Sequence, residues 1–282
     1  MTIRFLCKRI IDYGGLGALS QVAHRWMDTE QGSAPKGGYG LQIFKNDLEK
    51  PRWTWHSSQV KEEAKFEWET FLPLTHLLAP YAIERGITPE QYARWKLGWD
   101  KLNNKLFIPV FDEMQIFRGY SMRAIPPFAK EVPRYKHAKG FVKDNYLFGE
   151  CFLDKTQRTG IFVEGFMDLW AIERVGFANT FATMGTSISD RQLQKIHRWF
   201  DNVIVIPDND KCNEKTGEAP GQKAARDLEA KVREMGKQVV VSPVLTGKKD
   251  VGEWTRREIL FVLNKISEGH SLNLPVRRPA NG

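Results

Sequence analysis

Five carboxylates stand out because each falls where a strand-like run stops. Glu164 follows Ile161-Phe162-Val163, and Asp168 comes four residues later, one turn into an apolar helical pattern. Asp208 and Asp210 flank Asn209 just beyond Val203-Ile204-Val205-Ile206 and Pro207. Asp250 lies between the run Gln238 to Val241 and a closing amphipathic segment. Taken singly, each acid would serve as well as a helix cap or a solvated loop residue. Gathered at one edge, they repel one another unless a cation neutralises them. Hard oxygen donors suit Mg2+ or Mn2+, and two such ions can activate an attacking 3′-hydroxyl and stabilise a leaving pyrophosphate.

The elements that must position these acids form a regular alternation after Gly160. Ile161 to Val163, Asn179 to Ala182, Val203 to Ile206 and Gln238 to Val241 read as strands. Met167 to Val175, Asp190 to Trp199, Gly221 to Met235 and Val251 to Ile266 read as helices between and after them. The Val203 run is wholly β-branched, as in a parallel strand covered on both faces. The alternation predicts an α/β fold, a parallel sheet flanked by helices. Ligands of such sheets sit beyond the carboxyl ends of the strands, where these acids fall.

Upstream the chain changes character. Tyr81 to Glu84 reads as a helix stopped by Gly86, and Thr88-Pro89 opens a second one. Lys105 to Phe111 and Gln115 to Met122 read as strands. Basic residues recur here: Arg118, Arg123, Lys130, Arg134, Lys136, Lys139 and Lys143. A mixed α+β basic subdomain is therefore expected before the parallel sheet. Residues 1–76 are less legible, with a helix-like Arg9 to Met27, strands around Asn46-Asp47 that include Trp53 and Trp55, and helical spacing from Lys61 to Leu72. Residues 269–282, with Arg277 and Arg278 between prolines, are expected to fray as a basic tail.

The net charge of +8 over 282 residues points toward a polyanionic partner, because each phosphate neutralised releases counterions. No apolar run is long enough to span a bilayer and no signal peptide is evident, so the expectation is a cytoplasmic protein with no membrane partner. Cys7, Cys151 and Cys212 are too few and too scattered for a zinc site or a disulfide framework.

At this point the sequence resembles a known family. Val163-Glu164-Gly165-Phe166-Met167-Asp168 is similar to the E-G-x-x-D that opens the TOPRIM domain of bacterial-type, DnaG-like primases. Met184-Gly185-Thr186-Ser187 resembles the L-G-T-A/S loop, and Asp208-Asn209-Asp210 the D-x-D. Gly221-Gln222-Lys223-Ala224-Ala225 resembles the G-R-K-A-A that opens the next helix, and Lys249-Asp250 the last acidic motif. Upstream, Arg85-Gly86-Ile87-Thr88-Pro89-Glu90, Phe107-Ile108-Pro109-Val110, Gly119 to Arg123, Pro133-Arg134-Tyr135 and Phe141 to Gly149 resemble the family's R-G, F-P-I, G-x-x-x-R, P-K-Y and F-x-K…L-(Y/F)-G motifs. Two departures stand out: Lys211 to Pro220 is an insertion that would form a flap, and Gly252 replaces a third-motif acid.

The resemblance implies a TOPRIM domain over 157–268, a basic primase-core subdomain over 77–156, and an N-terminal region, 1–76, without the usual zinc ribbon. It implies a DNA primase that makes RNA primers from ribonucleoside triphosphates on single-stranded DNA. Glu164, Asp168, Asp208, Asp210 and Asp250 would hold two Mg2+ or Mn2+ ions. Arg123, Arg134, Lys143 and Lys223 would bind nucleic acid or triphosphate, with Lys130, Lys136 and Lys139 left as a solvated face. No P-loop is present, so a separate replicative helicase is the expected partner, and the compact core suggests a phage or mobile element. A TOPRIM nuclease and a non-catalytic nucleic-acid-binding or replisome-binding protein are the alternatives, since a fold alone fixes no reaction.

Overall fold

The computed structural model describes residues 62–129, 131–185, 187–210 and 219–277. The Trp53/Trp55 hairpin, Cys7, Cys212, Lys130, Lys211 to Glu218 and Arg278 lie outside the described residues. Among the described residues, helices α1 (Leu72–Thr75), α2 (Pro80–Glu84) and α3 (Pro89–Arg94) come first. Each has proline at its start, where the missing N–H costs nothing. Thr88 caps α3 through a reciprocal capping box with Gln91. An antiparallel meander follows: β1 (Gly98–Asp100), β2 (Lys105–Phe111), β3 (Phe117–Ala124) and β4 (Tyr135–His137), paired in that order.

The helix expected from Lys61 does not form over residues 62–67. A 3-10 turn, Trp68–Phe71, leads directly into α1 instead. Packing explains the difference. Phe66, Trp68 and Phe71 lay their rings on Phe107, Phe117 and Tyr120 of the meander, with centroids 4.7 to 6.3 Å apart.

The second half alternates as the sequence predicts. It contains β5 (Thr159–Val163), α4 (Phe166–Arg174), β6 (Thr180–Ala182), α5 (Asp190–Trp199), β7 (Asn202–Val205), α6 (Pro220–Glu234), β8 (Gln238–Val241) and α7 (Arg256–His270). All pairings are parallel, in the order β6-β5-β7-β8. The expected helix from Val251 is split into a 3-10 turn, Val251–Glu253, and α7, because Thr255 caps the helix through a box with Glu258.

Alternate strand residues face opposite ways. Phe162, Val203, Val205 and Val239 pack with Leu193, Ile196, Leu228 and Val232 of α5 and α6. Ile161, Val163, Ile204 and Val240 pack with α4 and α7, in a core that continues into Ile87, Trp95, Leu106 and Ile108 of the upstream elements. That shared core fixes the basic subdomain against the ends of the parallel strands.

The tail expected to fray from residue 269 is docked as far as Arg277. Helix α7 runs to His270, Val276 bridges to Phe177, and the Ala178 and Arg277 amides bond to Pro275 and Gly176 carbonyls at 2.5 and 2.9 Å. Leu272 is buried and Arg277 pairs with the buried Glu173, so apolar burial and a charge-assisted contact outweigh the entropy of a free end. No helix among the described residues is long and apolar enough to cross a membrane.

Candidate metal centre and its basic wall

The carboxyl ends of β5 and β7, with the loop after β8, open into a cavity of about 200 Å³. Glu164, Asp168, Asp208 and Asp250 line it together. Asp168 sits in the first turn of α4 and is buried, its Oδ1 accepting the Gly252 N–H at 2.9 Å. Glu164 Oε1 faces the Asp208 N–H at 3.4 Å. Asp210 does not line the cavity, yet its charge acts on both Glu164 and Asp208. Helix α6 begins hard against these acids. A β-carbon at Gly221 would stand 2.6 Å from Glu164 Oε1 and 2.9 Å from the Asp208 carbonyl oxygen, so only glycine lets the helix approach.

Electrostatics marks the cluster as short of positive charge. Burial, followed by the charges of Asp168, Glu164, Asp250 and Asp210, pushes the Asp208 carboxyl up to about 9. Burial and the neighbouring Asp250 push Asp168 up to about 6. Glu164 is raised by burial and by Asp210, while the Asp208 N–H opposes. Asp250 is raised by burial and by Glu253, while Arg85, Lys249 and Arg134 pull it down. Asp250 Oδ1 is buried without a hydrogen-bond partner. Crowded carboxylates and an orphaned carboxylate oxygen are the donor set that a hard divalent cation satisfies. Among the described residues no three acidic, His or Cys side chains are already drawn into a closed ligand set. The acids share a cavity rather than a finished coordination shell.

Positive charge forms the facing wall. Arg123, buried on β3, and Arg134, exposed before β4, both line the cavity. The Arg123 guanidinium is held between two phenols: Nε and Nη2 donate to Tyr81 Oη at 2.9 and 2.5 Å, and Nη1 donates to Tyr135 Oη. Its Cζ also lies 4.8 Å from the Tyr135 ring centroid. Arg123 is thus a fixed charge braced from both sides, with Tyr135 pushed up to about 12 by burial. Lys143 pairs with Asp144 at 3.0 Å and reaches the cavity residue Gly185, its Nζ standing 2.8 Å from where a β-carbon would be. Lys136 and Lys139 are exposed.

Lys223 is not brought to this cavity. Lys223 is solvated, 4.0 Å from Asp227, which lines a neighbouring cavity together with Glu164 and Gly185.

Arg85, Lys249 and His137, which sequence reasoning left out of the site, line it as well. Arg85 and Lys249 stand inside motifs already singled out, so their position beside an acid was the available signal. His137 accepts or shares a hydrogen with Ser121 Oγ at 2.7 Å, and burial followed by Lys143 holds its imidazole below the ordinary range. Asn209, between the two acids, ties their loop down: its N–H meets the Lys249 carbonyl at 2.6 Å and its Nδ2 the Lys248 carbonyl at 3.0 Å.

Residues 159–244 match the family described as Toprim domain. The chain is 27% identical over 177 residues to a DNA primase of Clostridium acetobutylicum, covering 62% of this chain and 28% of that protein. It is 24% identical over 212 residues to a DNA primase of Rickettsia conorii, covering 61% of this chain and 36% of the relative. The chain thus spans about a third of the length of these curated relatives. Among solved structures, the E. coli primase catalytic core aligns over 84% of this chain and 79% of its own, with a TM-score of 0.53 and 20% identity. A DnaG primase catalytic domain bound to single-stranded DNA aligns over 67% and 70%, with a TM-score of 0.54 and 20% identity.

Proposed function

We propose that this chain, a DnaG-like primase core by its Toprim domain and its fold, synthesises short RNA primers on single-stranded DNA. The observation that carries the reading is one cavity in which four carboxylates face Arg85, Arg123 and Arg134. A reaction between two polyanions needs both halves, acids to hold cations and fixed guanidinium groups to hold phosphates.

In this reading Glu164, Asp168, Asp208 and Asp250 hold Mg2+ or Mn2+, two ions when loaded, with Asp210 completing the charge from the cavity edge. Bound there, the cations supply electrostatic stabilisation for the attacking 3′-hydroxyl and the leaving pyrophosphate. The chain's own residues do the positioning. Arg134 and Arg85 grip triphosphate or template phosphate by charge-assisted hydrogen bonds. Arg123, braced by Tyr81 and Tyr135, supplies a charge that needs no reorganisation during the reaction. Lys143 extends the phosphate path past Gly185. Glu164 would assist deprotonation of the attacking hydroxyl. A separate helicase would deliver the template.

The test is synthesis itself. Purified protein with single-stranded template, ribonucleotides and Mg2+ or Mn2+ is expected to yield oligoribonucleotides, and folded Asp208→Ala is expected to yield none. No product in either metal, with or without a replicative helicase, would remove the polymerase reading. Metal-dependent cleavage of DNA without nucleotides would favour the nuclease alternative.

A further inference from the structure

The segment that leads into the antiparallel meander is fastened to the turn that carries Lys143. The Ala64 N–H donates to the Gly140 carbonyl at 3.1 Å. Gly140 has φ +83, and a β-carbon there would stand 2.7 Å from the Ala64 β-carbon, so glycine permits the close approach. The Phe66 ring meets Phe117 and Tyr120 of β3 edge to face, which holds the segment in line. Between these anchors Glu63 reaches the turn with both carboxylate oxygens. One accepts from Asn145 Nδ2, and the other accepts from Tyr146 Oη at 2.5 Å.

The same 3-10 turn, Lys143–Asn145, is also bonded to the start of α5. Ser189 Oγ donates to the Asp144 carbonyl, and Gln192 Nε2 donates to the Tyr146 carbonyl at 2.7 Å. Arg191 Nη1 donates to Asn145 Oδ1 at 3.0 Å. Asn145 thus uses both ends of its amide, the oxygen on Arg191 and the nitrogen on Glu63. An ammonium on a flexible four-carbon stem reaches a defined place only if its backbone is fixed. Lys143 Nζ stands 2.8 Å from where a β-carbon would be on Gly185, at the edge of the metal cavity. Among the described residues its one ion-pair partner is the neighbouring Asp144, and the two side chains are 27% and 46% exposed. So exposed a pair is weak, which leaves the ammonium able to exchange Asp144 for a phosphate.

We infer that Glu63 is a positioning residue for Lys143: its carboxylate fixes the turn over residues 143–146 so that the ammonium meets phosphate at the edge of the metal cavity. This role rests on the reading of Lys143 as a phosphate-binding residue. It has a sign opposite to that of simple charge. Removing an acid near a site for a polyanion should tighten binding, whereas a loosened Lys143 weakens it.

The experiment measures binding of a fluorescein-labelled single-stranded oligo-thymidylate to the full chain by fluorescence anisotropy, in Mg2+ and over a series of salt concentrations. Circular dichroism checks that each variant is folded. Lys143→Ala is expected to weaken binding by about fivefold to tenfold and to reduce the salt slope by about one. Glu63→Ala is expected to weaken it by about threefold or more, despite the lost negative charge, and to lower the slope in the same direction. In the Lys143→Ala background it should weaken binding no further. Glu63→Gln, whose carboxamide can accept from Asn145 and donate to Tyr146 Oη, should recover most of the affinity. Tyr146→Phe keeps the ring and cuts one of the two bonds; run through the same cycle, it should show a smaller effect of the same sign. Unchanged or tighter binding in folded Glu63→Ala, or an equal loss with and without Lys143, would overturn the inference and leave Lys143 its role. No effect of Lys143→Ala would overturn both. The expected cycle in a chain that makes no primer would support the inference and count against the polymerase reading alone.

Discussion

The Gly252 N–H donates to Asp168 Oδ1 at 2.9 Å, so the loop after β8 is tied to the first turn of α4 through the acid most deeply buried in the cavity. This bond stands where related sequences are expected to carry one more carboxylate. A β-carbon at Gly252 would lie 3.0 Å from Asp250 Oδ1 and 3.4 Å from both Arg85 Nη2 and Asp168 Oδ1. Gly252→Asp is therefore expected to lower metal-free stability by about 1–3 kcal/mol and to make the protein more dependent on Mg2+. Thermal unfolding in chelator and in Mg2+ checks this. Equal destabilisation in both would mean that the added acid does not reach the cations.

The acid cluster predicts a pH-dependent response to metal. Asp208 ionises near 3.8 in an unfolded chain but holds its proton to about 9 when folded, and Asp168 to about 6. Between those limits the folded state binds the extra protons, so the stability they bring is complete at low pH and is lost as pH rises toward about 9. A divalent cation takes over the protons' role. The rise in Tm on adding Mg2+ should therefore grow from pH 6 to pH 8.5. A metal-induced shift that stays constant across this range, or that survives in Asp208→Asn, would place the cation elsewhere.

Arg85 draws the Asp250 carboxyl downward and lines the cavity beside it. Arg85→Gln keeps much of the side-chain bulk and removes the charge. The expected result is a KM for ribonucleoside triphosphate raised about tenfold to a hundredfold, the loss of a charge-assisted hydrogen bond, with a smaller change in kcat. A fall in kcat at constant KM would instead assign Arg85 to the reacting phosphate.

How far the sequence went can be read from particular residues. Glu164, Asp208 and Asp250 were legible because parallel strands of β-branched residues end visibly, and ligands collect at those ends. Gln238 to Val241 and Asp190 to Trp199 were bounded as the structure has them. Lys223 was named from its place in a motif, which gives linear position only; the structure leaves it exposed beside Asp227, outside the lining of the acid cavity. The brace on Arg123 was illegible because Tyr81 is 42 residues distant in the chain, and local pattern carries no information about that contact. The docked tail was read as free for the same reason: Arg277 finds Glu173 across 104 residues.

Glu173 offers the last prediction. Its carboxylate gathers donors from α3 and from the tail, and it stands on the helix that carries Asp168. Glu173→Ala would leave Gln91 Nε2 and the Trp95 indole N–H buried without this acceptor, and two guanidinium groups without their counter-charge. Breaking a buried pair by removing one partner costs about 3–5 kcal/mol, and a similar loss is expected here in denaturant unfolding. Glu173→Gln retains an acceptor oxygen and should lose less than half as much. Arg277→Ala removes only the tail's contact, and because Arg277 is 37% exposed its loss should stay within about 1 kcal/mol. That order, Ala above Gln above Arg277→Ala, follows from the desolvation of the donors left behind. If Arg277→Ala proved as costly as Glu173→Ala, the tail rather than the α3 donors would be what holds this carboxylate in place.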